Sequence, residues 1–248
     1  MIHVEPLDQG LLLVSLDRPK KRNALTPPMI ERLRHALERA AEDAAIRGVV
    51  LSGAGPSFCA GIDLHEFAEG SPESARALIV TLKDLCATAR RFPKPIACAI
   101  QGHCLGGALE LAACCDFRVC TPDALLGMPE VAVGLPSVID AVMLGHLVGT
   151  ARARELLLTG EPIRGDTAFE WGLVNRLASS SDLVPVASEL VGLVARHQPE
   201  VIAAQKRLHQ AWLDLPYEQA VEQSIEPLVD AFRQGWPQRV AADRLGNR

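Results

Sequence analysis

Two glutamates are candidates for proton-transfer chemistry, because each lies in an otherwise apolar stretch. Glu110 lies among alanines and leucines in 107–113, and Glu130 is the only charge in 127–136. A carboxyl group with apolar neighbours has a raised pKa, and it is costly to bury unless it is hydrogen-bonded or works in a site. For Glu110 the alternative is a first-turn glutamate that only favours the helix dipole.

Two glycine-containing segments are candidates for binding an anion through main-chain amides. The segment 57–64 contains small residues that let a ligand approach the backbone, and the amide of Ile62 could face an anion there. In 101–110, Gly106 and Gly107 stand where a predicted strand leads into a predicted helix, which exposes the first helical amides. Taken alone, either segment also fits a purely structural turn.

The motifs of several other chemistries are missing. The sequence has no G-x-S-x-G elbow, no G-x-x-x-x-G-K-[ST] phosphate loop and no G-x-G-x-x-G dinucleotide motif. Its seven cysteines form no C-x-x-C pair, and its histidines form no H-E-x-x-H. We therefore expect reduced core cysteines and no metal site.

Composition indicates an ordinary globular protein. Hydrophobic residues make up 48% and charged residues 22% of the 248 residues, which excludes disordered and fibrous classes. The net charge of −5, without a run of basic residues, argues against nucleic-acid binding. No stretch has the length of a membrane span, and residues 1–10 lack a signal-peptide pattern. We expect a cytoplasmic protein that does not bind membranes.

An α/β organisation is predicted for the part of the chain that carries these segments. Strands are expected at 11–16, 49–52, 96–100 and 117–119, and helices at 28–45, 72–90 and 107–114. Thr26 before Pro27 and Ser71 before Pro72 are typical of helix starts. Beyond residue 145 we expect helices at 151–158, 165–171, 182–197, 199–213 and 217–233.

A domain boundary is predicted at the serine-rich turn 179–182. Residues 1–181 would form an α/β core with the ligand site, and residues 182–248 a helical region. Because the helical region has little core of its own, it should pack on the α/β body or on neighbouring subunits.

Six short motifs, taken in order, resemble the enoyl-CoA hydratase/isomerase (crotonase) superfamily along essentially the whole chain. They are Arg18-Pro19 with Arg22-Asn23-Ala24-Leu25, Phe58-Cys59-Ala60-Gly61-Ile62-Asp63-Leu64, Phe92-Pro93-Lys94-Pro95-Ile96-Ala97, Gly106-Gly107-Ala108-Leu109-Glu110-Leu111-Ala112, Cys115-Asp116, and Pro129-Glu130-Val131 with Gly134-Leu135-Pro136. One departure follows Pro136: the chain reads Ser137-Val138-Ile139-Asp140-Ala141-Val142-Met143 where typical hydratases have a glycine-rich turn.

The resemblance implies a fold and an assembly. The fold would be an α/β spiral of ββα units followed by C-terminal oligomerisation helices, and the assembly a homotrimer or a dimer of trimers. The substrate would be an acyl-CoA thioester, and coenzyme A would enter as part of that substrate rather than as a separate cofactor.

The resemblance also implies roles for individual residues. The amides of Ile62 and Gly107 would form the oxyanion hole, Glu110 would activate water, and Glu130 would deliver the α-proton. Coenzyme A would lie against a set of mostly main-chain contacts at Arg22, Ala24, Ala60, Asp63 and Leu64. Lys206 would reach a phosphate of the coenzyme, although a plain solvated lysine is an equal alternative.

Hydration of a 2-enoyl-CoA to a 3-hydroxyacyl-CoA is the function that the resemblance favours, because both glutamates are present. An isomerase that converts 3-enoyl-CoA to 2-enoyl-CoA through Glu130 alone is the first alternative. A non-catalytic acyl-CoA-binding scaffold is the second, and fold alone does not decide between them.

Overall fold

The apolar runs of the first half of the chain form the middle of a six-stranded sheet. The structure is a computed structural model that describes residues 1–68 and 70–246. Its strands are Ile2–Pro6 (β1), Leu11–Leu16 (β2), Gly48–Gly53 (β3), Ile96–Ile100 (β4), His103–Leu105 (β5), Phe117–Cys120 (β6), Leu125–Gly127 (β7), Ile163–Arg164 (β8) and Arg176–Leu177 (β9). The large sheet has the order β1-β2-β3-β4-β6-β9, and only its first pair, β1 with β2, is antiparallel.

A smaller sheet has the order β5-β7-β8. β5 runs parallel to β7, with His103 opposite Leu125 and Leu105 opposite Gly127. Because β5 begins three residues after β4 ends, the chain passes directly from the large sheet to the small one.

The described chain contains twelve α-helices. They are Pro27–Glu42 (α1), His65–Ala68 (α2), Pro72–Arg90 (α3), Gly107–Ala113 (α4), Val142–Val148 (α5), Thr150–Thr159 (α6), Gly165–Glu170 (α7), Leu183–Ala195 (α8), Pro199–Asp214 (α9), Tyr217–Gln223 (α10), Ile225–Arg233 (α11) and Trp236–Gly246 (α12). Among the short 3-10 turns, Pro129–Val133 and Ile139–Ala141 matter most for the site described below.

Alternate residues of the central strands face two different cores. On β4, Ile96 and Cys98 belong to the main core with α1, α3 and α4, whereas Ala97 and Ala99 face the opposite side. Residues of α8 such as Ala187 pack on that opposite side. The sheet is therefore covered on both faces, which is why its strands are almost wholly apolar.

Two compact units divide the chain, Met1–Arg196 and His197–Arg248. The sequence placed the division before residue 182, so the structure assigns α8 to the first unit instead. The reason is physical: α8 buries Leu183, Ala187, Leu190 and Val191, and this face packs on the large sheet. The second unit consists of α9 to α12, and the single predicted helix 217–233 is divided there at Ser224.

Most predicted elements of the first half are confirmed. Strands 11–16 and 96–100 and helix 72–90 have the predicted bounds, and Ser71 caps α3 by accepting from Ser74 N at 3.2 Å. Thr26 has an extended backbone before α1 but makes no side-chain cap hydrogen bond. All seven cysteines are buried and free, as predicted. In the part of the chain that is described, no helix combines the length and the apolarity needed to span a bilayer.

Candidate active site

A cavity of about 390 Å³ lies at the start of α4. Its lining is apolar apart from Glu110 and Glu130, which are the only charged side chains among the described residues around it. The larger apolar contributors are Leu64, Ile79, Leu82, Val133, Leu135 and Val138. Both glutamates predicted from the sequence therefore face the same space.

A parallel bridge between the buried residues Cys59 and Cys104 joins two segments that continue into the cavity wall, at Ala60 and at Leu105. Cys59 N donates to His103 O at 2.8 Å, and Leu105 N donates to Cys59 O at 3.1 Å. Gly61 follows with a φ of +91°, and a Cβ there would lie 2.7 Å from Leu105 O. Glycine is needed at position 61 because of both the positive φ and the close approach of Leu105 O. The segment 59–62 therefore lies directly against the segment that leads into α4.

A second parallel bridge, between Leu25 and Ile62, sets the direction of the Ile62 amide. Leu25 N donates to Gly61 O at 2.8 Å, and Asp63 N donates to Leu25 O at 2.9 Å. In such a parallel pairing the neighbours of Ile62 make the bonds, so the N–H of Ile62 points away from Leu25. Ile62 lines the cavity, and no acceptor for its amide is found among the described residues.

Gly107 supplies a second free amide, because it is the first residue of α4 and the first amides of a helix have no acceptor within it. The preceding Gly106 has φ +54° and ψ −128°, and its N–H is held by Gly127 O at 2.9 Å. A Cβ on Gly107 would lie 3.7 Å from Ile62 Cγ1. The main chain at Ile62 and Gly107 thus lies in the same wall.

Glu110 is buried in the first turn of α4, with 4% of its surface exposed. Its Oε1 accepts a hydrogen bond from Ala141 N at 3.2 Å. Burial raises the pKa of this carboxyl to about 8, the negative charge of Glu130 adds to the increase, the Ala141 amide opposes it, and the charge of Asp140 adds a smaller increase. Glu110 therefore holds a proton at neutral pH.

Arg118 fixes the other end of α4. Its buried guanidinium donates through Nη1 to Ala112 O at 2.9 Å and to Cys115 O at 2.8 Å, and through Nε to Leu173 O at 2.6 Å. A cation at this end satisfies the last carbonyls of the helix and complements its dipole. The helix that carries Glu110 is therefore held at its C-terminal end as well.

Glu130 lies in the 3-10 turn Pro129–Val133 and is half-buried. Its Oε2 accepts from Ser137 Oγ at 3.1 Å. A Cβ on Gly106 would overlap Glu130 Oε1, so the carboxylate lies directly against the glycine. Burial raises the pKa of Glu130, against the opposing effect of its own backbone amide and of the Ser137 hydroxyl.

The loop of the first motif is built around a buried asparagine. Asn23 Oδ1 accepts from Arg18 N at 2.8 Å, and Nδ2 donates to Ala54 O at 2.9 Å and to Ser57 O at 2.8 Å. Arg22 precedes it, and both residues have positive φ, +49° and +57°. These contacts hold the loop against the segment that leads to Ile62.

Residues predicted to contact coenzyme A lie in different surroundings. Ala60 and Leu64 line the cavity, and Ala60 N donates to Arg22 O at 2.9 Å. The exposed Arg22 side chain has Nη1 at 3.4 Å from His103 Nε2, and Ala24 is partly exposed on the same loop. Arg22 and Ala24 are not in the cavity wall.

Asp63 differs from the expectation for a ligand contact. It is 7% exposed, and its carboxylate pairs with Arg18 Nη1 at 2.5 Å and accepts from His65 N at 3.1 Å. Burial acts to raise the pKa of Asp63, but the Arg18 and His65 hydrogen bonds together lower it. The carboxylate is thus occupied by the protein and holds the loop that follows Ile62.

Comparison with known proteins decides the family. The model of the family described as "Enoyl-CoA hydratase/isomerase" matches residues 7–236. The chain belongs to this family. It is 34% identical over 230 residues to a probable enoyl-CoA hydratase of Bacillus subtilis, covering 91% of this chain and 88% of that protein. It is 36% identical over 200 residues to the 2,3-dehydroadipyl-CoA hydratase of Escherichia coli, covering 80% of this chain and 78% of that protein.

Solved structures of the family agree with the fold. An enoyl-CoA hydratase from Mycobacterium smegmatis matches with a TM-score of 0.93 and 30% identity, over all of this chain and 96% of that one. An enoyl-CoA hydratase from Polaromonas sp. JS666 matches with a TM-score of 0.92 and 29% identity, over all of this chain and 97% of that one. The predicted crotonase-like α/β fold with C-terminal helices is confirmed, and the family acts on acyl-CoA thioesters.

One cluster has the composition of a metal site. Cys86, Cys114 and Asp140 place ligand atoms within 4.8 Å of one another, the only such group among the residues that the structure describes. The guanidinium of Arg90 binds Asp140 in this place, so the protein supplies its own cation there.

Six of the residues implied by the resemblance line the cavity: Ala60, Ile62, Leu64, Gly107, Glu110 and Glu130. Their chemical roles stay predictions. Lys206 lies on α9, in the second unit, and its phosphate contact also stays a prediction.

Two residues that hold the acids, Ser137 and Ala141, are not among the site residues predicted from the sequence. The departure from a glycine-rich turn after Pro136 indicates that this segment is unusual, but it does not predict which atoms the segment contacts.

Proposed function

We propose that this protein is an enoyl-CoA hydratase that adds water to the double bond of a 2-enoyl-CoA thioester and forms a 3-hydroxyacyl-CoA. The observation that supports it is the presence of two carboxyl groups, Glu110 and Glu130, in one apolar cavity beside two unpaired main-chain amides. Because both acids belong to one cavity, water and proton would reach the same face of the double bond, which is syn addition.

The amides of Ile62 and Gly107 would bind the thioester oxygen. When water attacks the β-carbon, negative charge moves onto this oxygen and an enolate forms. Donors that are already in place stabilise the enolate more than the neutral carbonyl, and loss of one such donor typically costs about 3–4 kcal/mol. Since Gly61 and Gly106 fix these donors, the stabilisation depends on main-chain geometry rather than on side chains.

Hydration needs one ionised acid, which accepts a proton from water, and one protonated acid, which protonates the α-carbon. Glu110 is suited to hold a proton near neutral pH, because burial raises its pKa to about 8. Burial also raises the pKa of Glu130. In the free protein the more deeply buried Glu110 holds the proton more strongly. The family pattern instead makes Glu130 the proton donor, so the pair would exchange its proton on substrate binding.

Coenzyme A would enter past the loop that carries Arg22 and Ala24 and place its thioester end against Ala60 and Leu64. The hydrogen bond from Ala60 N to Arg22 O supports this order, because it places the loop next to the cavity wall. Lys206 on α9 would contribute to phosphate binding. Asp63 would act indirectly, through its ion pair with Arg18.

The acyl chain would be uncharged. Among the described residues that line the cavity there is no lysine, arginine or histidine, and the two titratable side chains present are the carboxyl groups of Glu110 and Glu130. A second carboxylate on the substrate would lie unpaired among apolar side chains and close to two acids, which is strongly unfavourable. This distinguishes the expected substrate from the dicarboxylic acyl group in the name of the Escherichia coli relative.

The experiment is to mix the purified protein with crotonyl-CoA and follow the loss of absorbance of the enoyl thioester. Glu110→Gln and Glu130→Gln are each expected to lower kcat by about 10²–10⁴-fold, the usual contribution of a general acid or base. Glu155→Gln on the exposed face of α6 is the matched control and should leave kcat unchanged. Full activity in both active-site variants would refute the proposal.

Two other results would identify the alternatives. Conversion of 3-enoyl-CoA to 2-enoyl-CoA without hydration, retained in Glu110→Ala, would identify an isomerase that uses Glu130. Calorimetric binding of acyl-CoA without turnover at any chain length would identify a scaffold. Exchange of the α-hydrogen in D₂O, measured in both glutamine variants, reports which acid serves the α-carbon.

The C-terminal helices would form contacts between subunits of a trimer or a dimer of trimers. On α11, Ile225, Leu228 and Phe232 are 48%, 62% and 53% exposed and are spaced for one face of a helix. Light scattering should give the mass of three or six chains, and Leu228→Glu should reduce it. A monomeric parent protein would refute this part of the proposal.

A further inference from the structure

One short turn contacts both acids of the cavity. In the turn 137–141, Ser137 Oγ donates to Glu130 Oε2 at 3.1 Å, and Ala141 N donates to Glu110 Oε1 at 3.2 Å. The two carboxyl groups come from different elements, the 3-10 turn Pro129–Val133 and α4. The turn 137–141 is therefore the structure that sets their positions relative to each other.

The backbone of this turn is in an unfavourable conformation. Ile139 has a φ of +41°, in the left-handed region where a β-branched residue is a genuine outlier. Ala141 N also donates to Val138 O at 3.1 Å, which closes the turn around Ile139. Such a conformation persists only when neighbouring contacts over-determine it.

The contact that fixes the turn is the ion pair between Asp140 and Arg90. Asp140 is 4% exposed, and its Oδ1 accepts from Arg90 Nη1, which is carried by the last residue of α3. Within the described chain, the buried Arg90 Nε has no hydrogen-bond partner. The guanidinium has thus been placed for Asp140 even though one of its own donors is left unsatisfied.

We propose that Arg90 and Asp140 are positioning residues, which hold the turn 137–141 in the conformation that aligns Glu110 and Glu130 for proton transfer. Neither side chain lines the cavity. They act through the amide of Ala141 and the hydroxyl of Ser137. The inference rests on the proposed hydratase function for its kinetic consequence, but its structural part does not depend on that function.

The informative variant removes both partners of the pair. Replacing one partner alone leaves a buried charge unpaired and destabilises the whole fold, whereas two apolar residues of similar size restore packing. We therefore choose the double variant Arg90→Met with Asp140→Leu, together with Arg90→Lys, which keeps the cation. The matched control is the exposed pair Arg176 and Glu189, 3.3 Å apart, changed to glutamine at both positions.

Kinetics and amide exchange are measured on all variants. The apolar double variant should lose about 10²-fold in kcat, the size of effect that a displacement of about 1 Å in a catalytic group produces. Its KM should stay within about threefold, because the free amides of Ile62 and Gly107 and the cavity wall outside the turn 137–141 are unchanged. The amide of Ala141 should exchange at least about tenfold faster. Arg90→Lys should stay within about tenfold of the parent kcat, and the control should match the parent.

Two outcomes would overturn the inference: an apolar double variant with the parent kcat, or one whose Ala141 amide exchanges at the parent rate. A parent protein that hydrates no enoyl-CoA would instead defeat the proposed function. In that case the exchange rate of Ala141 still decides whether the ion pair holds the turn.

Discussion

Replacing Glu110 with glutamine is expected to stabilise the folded protein increasingly as the pH rises. Glutamine is neutral, has nearly the same shape, and keeps an oxygen for the Ala141 amide. In the parent the carboxyl has a pKa of about 8 when folded, against an ordinary value of 4.5. Between these values the folded state keeps a proton that the unfolded state has lost.

The sign and size follow from proton linkage. Below about pH 4.5 both states are protonated, and the parent has the full benefit of a neutral buried acid. As the pH rises to about 8, the parent loses up to about 5 kcal/mol relative to a group that does not titrate, since each pKa unit corresponds to about 1.4 kcal/mol. The variant has no such loss at this position.

The assay is urea denaturation of parent and variant at intervals from pH 5 to pH 9, with the unfolding free energy compared at each pH. Glu155→Gln, at an exposed position on α6, serves as the control and should follow the parent. In a Glu130→Gln background the dependence should end at a lower pH, because the charge of Glu130 contributes to the raised pKa of Glu110. A stability difference that is the same at every pH would refute the reasoning.

Three further predictions concern the site and its loop. Gly106→Ala should lower kcat by at least about 10²-fold while the protein stays folded, because the new Cβ overlaps Glu130 Oε1 and the residue has a φ of +54°. Steady-state kinetics measures the loss of kcat, and circular dichroism checks the fold. A fully active variant would contradict the prediction. Asn23→Ala should lower the free energy of unfolding by about 3–4 kcal/mol in urea denaturation, because it leaves the carbonyl groups of Ala54 and Ser57 unpaired and Asn23 has a φ of +57°. Asn23→Gly should cost about 1 kcal/mol less, because glycine adopts a positive φ without strain. Equal losses in the two variants would show that the backbone conformation is irrelevant. trans-2-Hexenoyl-CoA should be hydrated with a kcat/KM at least about 10²-fold higher than that of 2,3-dehydroadipyl-CoA, whose six-carbon acyl chain ends in a carboxylate instead of a methyl group. Similar values for the two substrates would reveal a cation that pairs with the carboxylate.

The sequence predicted those helices and strands whose own residues contain both a start signal and a regular apolar pattern. Helix α3 begins at Ser71-Pro72 and has the predicted bounds, because a cap and a continuous apolar face specify it without distant contacts. Strands β5, β7, β8 and β9 were not predicted, since stretches of two or three residues contain no period to detect. The predicted boundary at 179–182 did not anticipate that α8 belongs to the first compact unit, because only the folded sheet shows that α8 covers it.

The sequence predicted the two acids and the main-chain amides of the candidate site, but not the residues that hold them in place. An isolated glutamate in an apolar run, or paired glycines before a helix, is visible in one stretch of sequence. The pair of Arg90 with Asp140 joins residues 50 positions apart, and nothing local relates them. The ion pair of Asp63 with Arg18 likewise joins residues 45 positions apart, while the predicted coenzyme A contact of Asp63 stays a prediction.

The wall that we propose binds the thioester carbonyl is made from peptide groups held by the bridges Leu25–Ile62 and Cys59–Cys104. Point substitutions at Ile62 change the shape of the pocket but cannot delete an N–H, proline excepted. Side chains around the wall could thus diverge, while the proposed capacity to stabilise an enolate would be kept. New specificity in such a scaffold should arise by exchanging acids and apolar residues around a fixed main-chain centre.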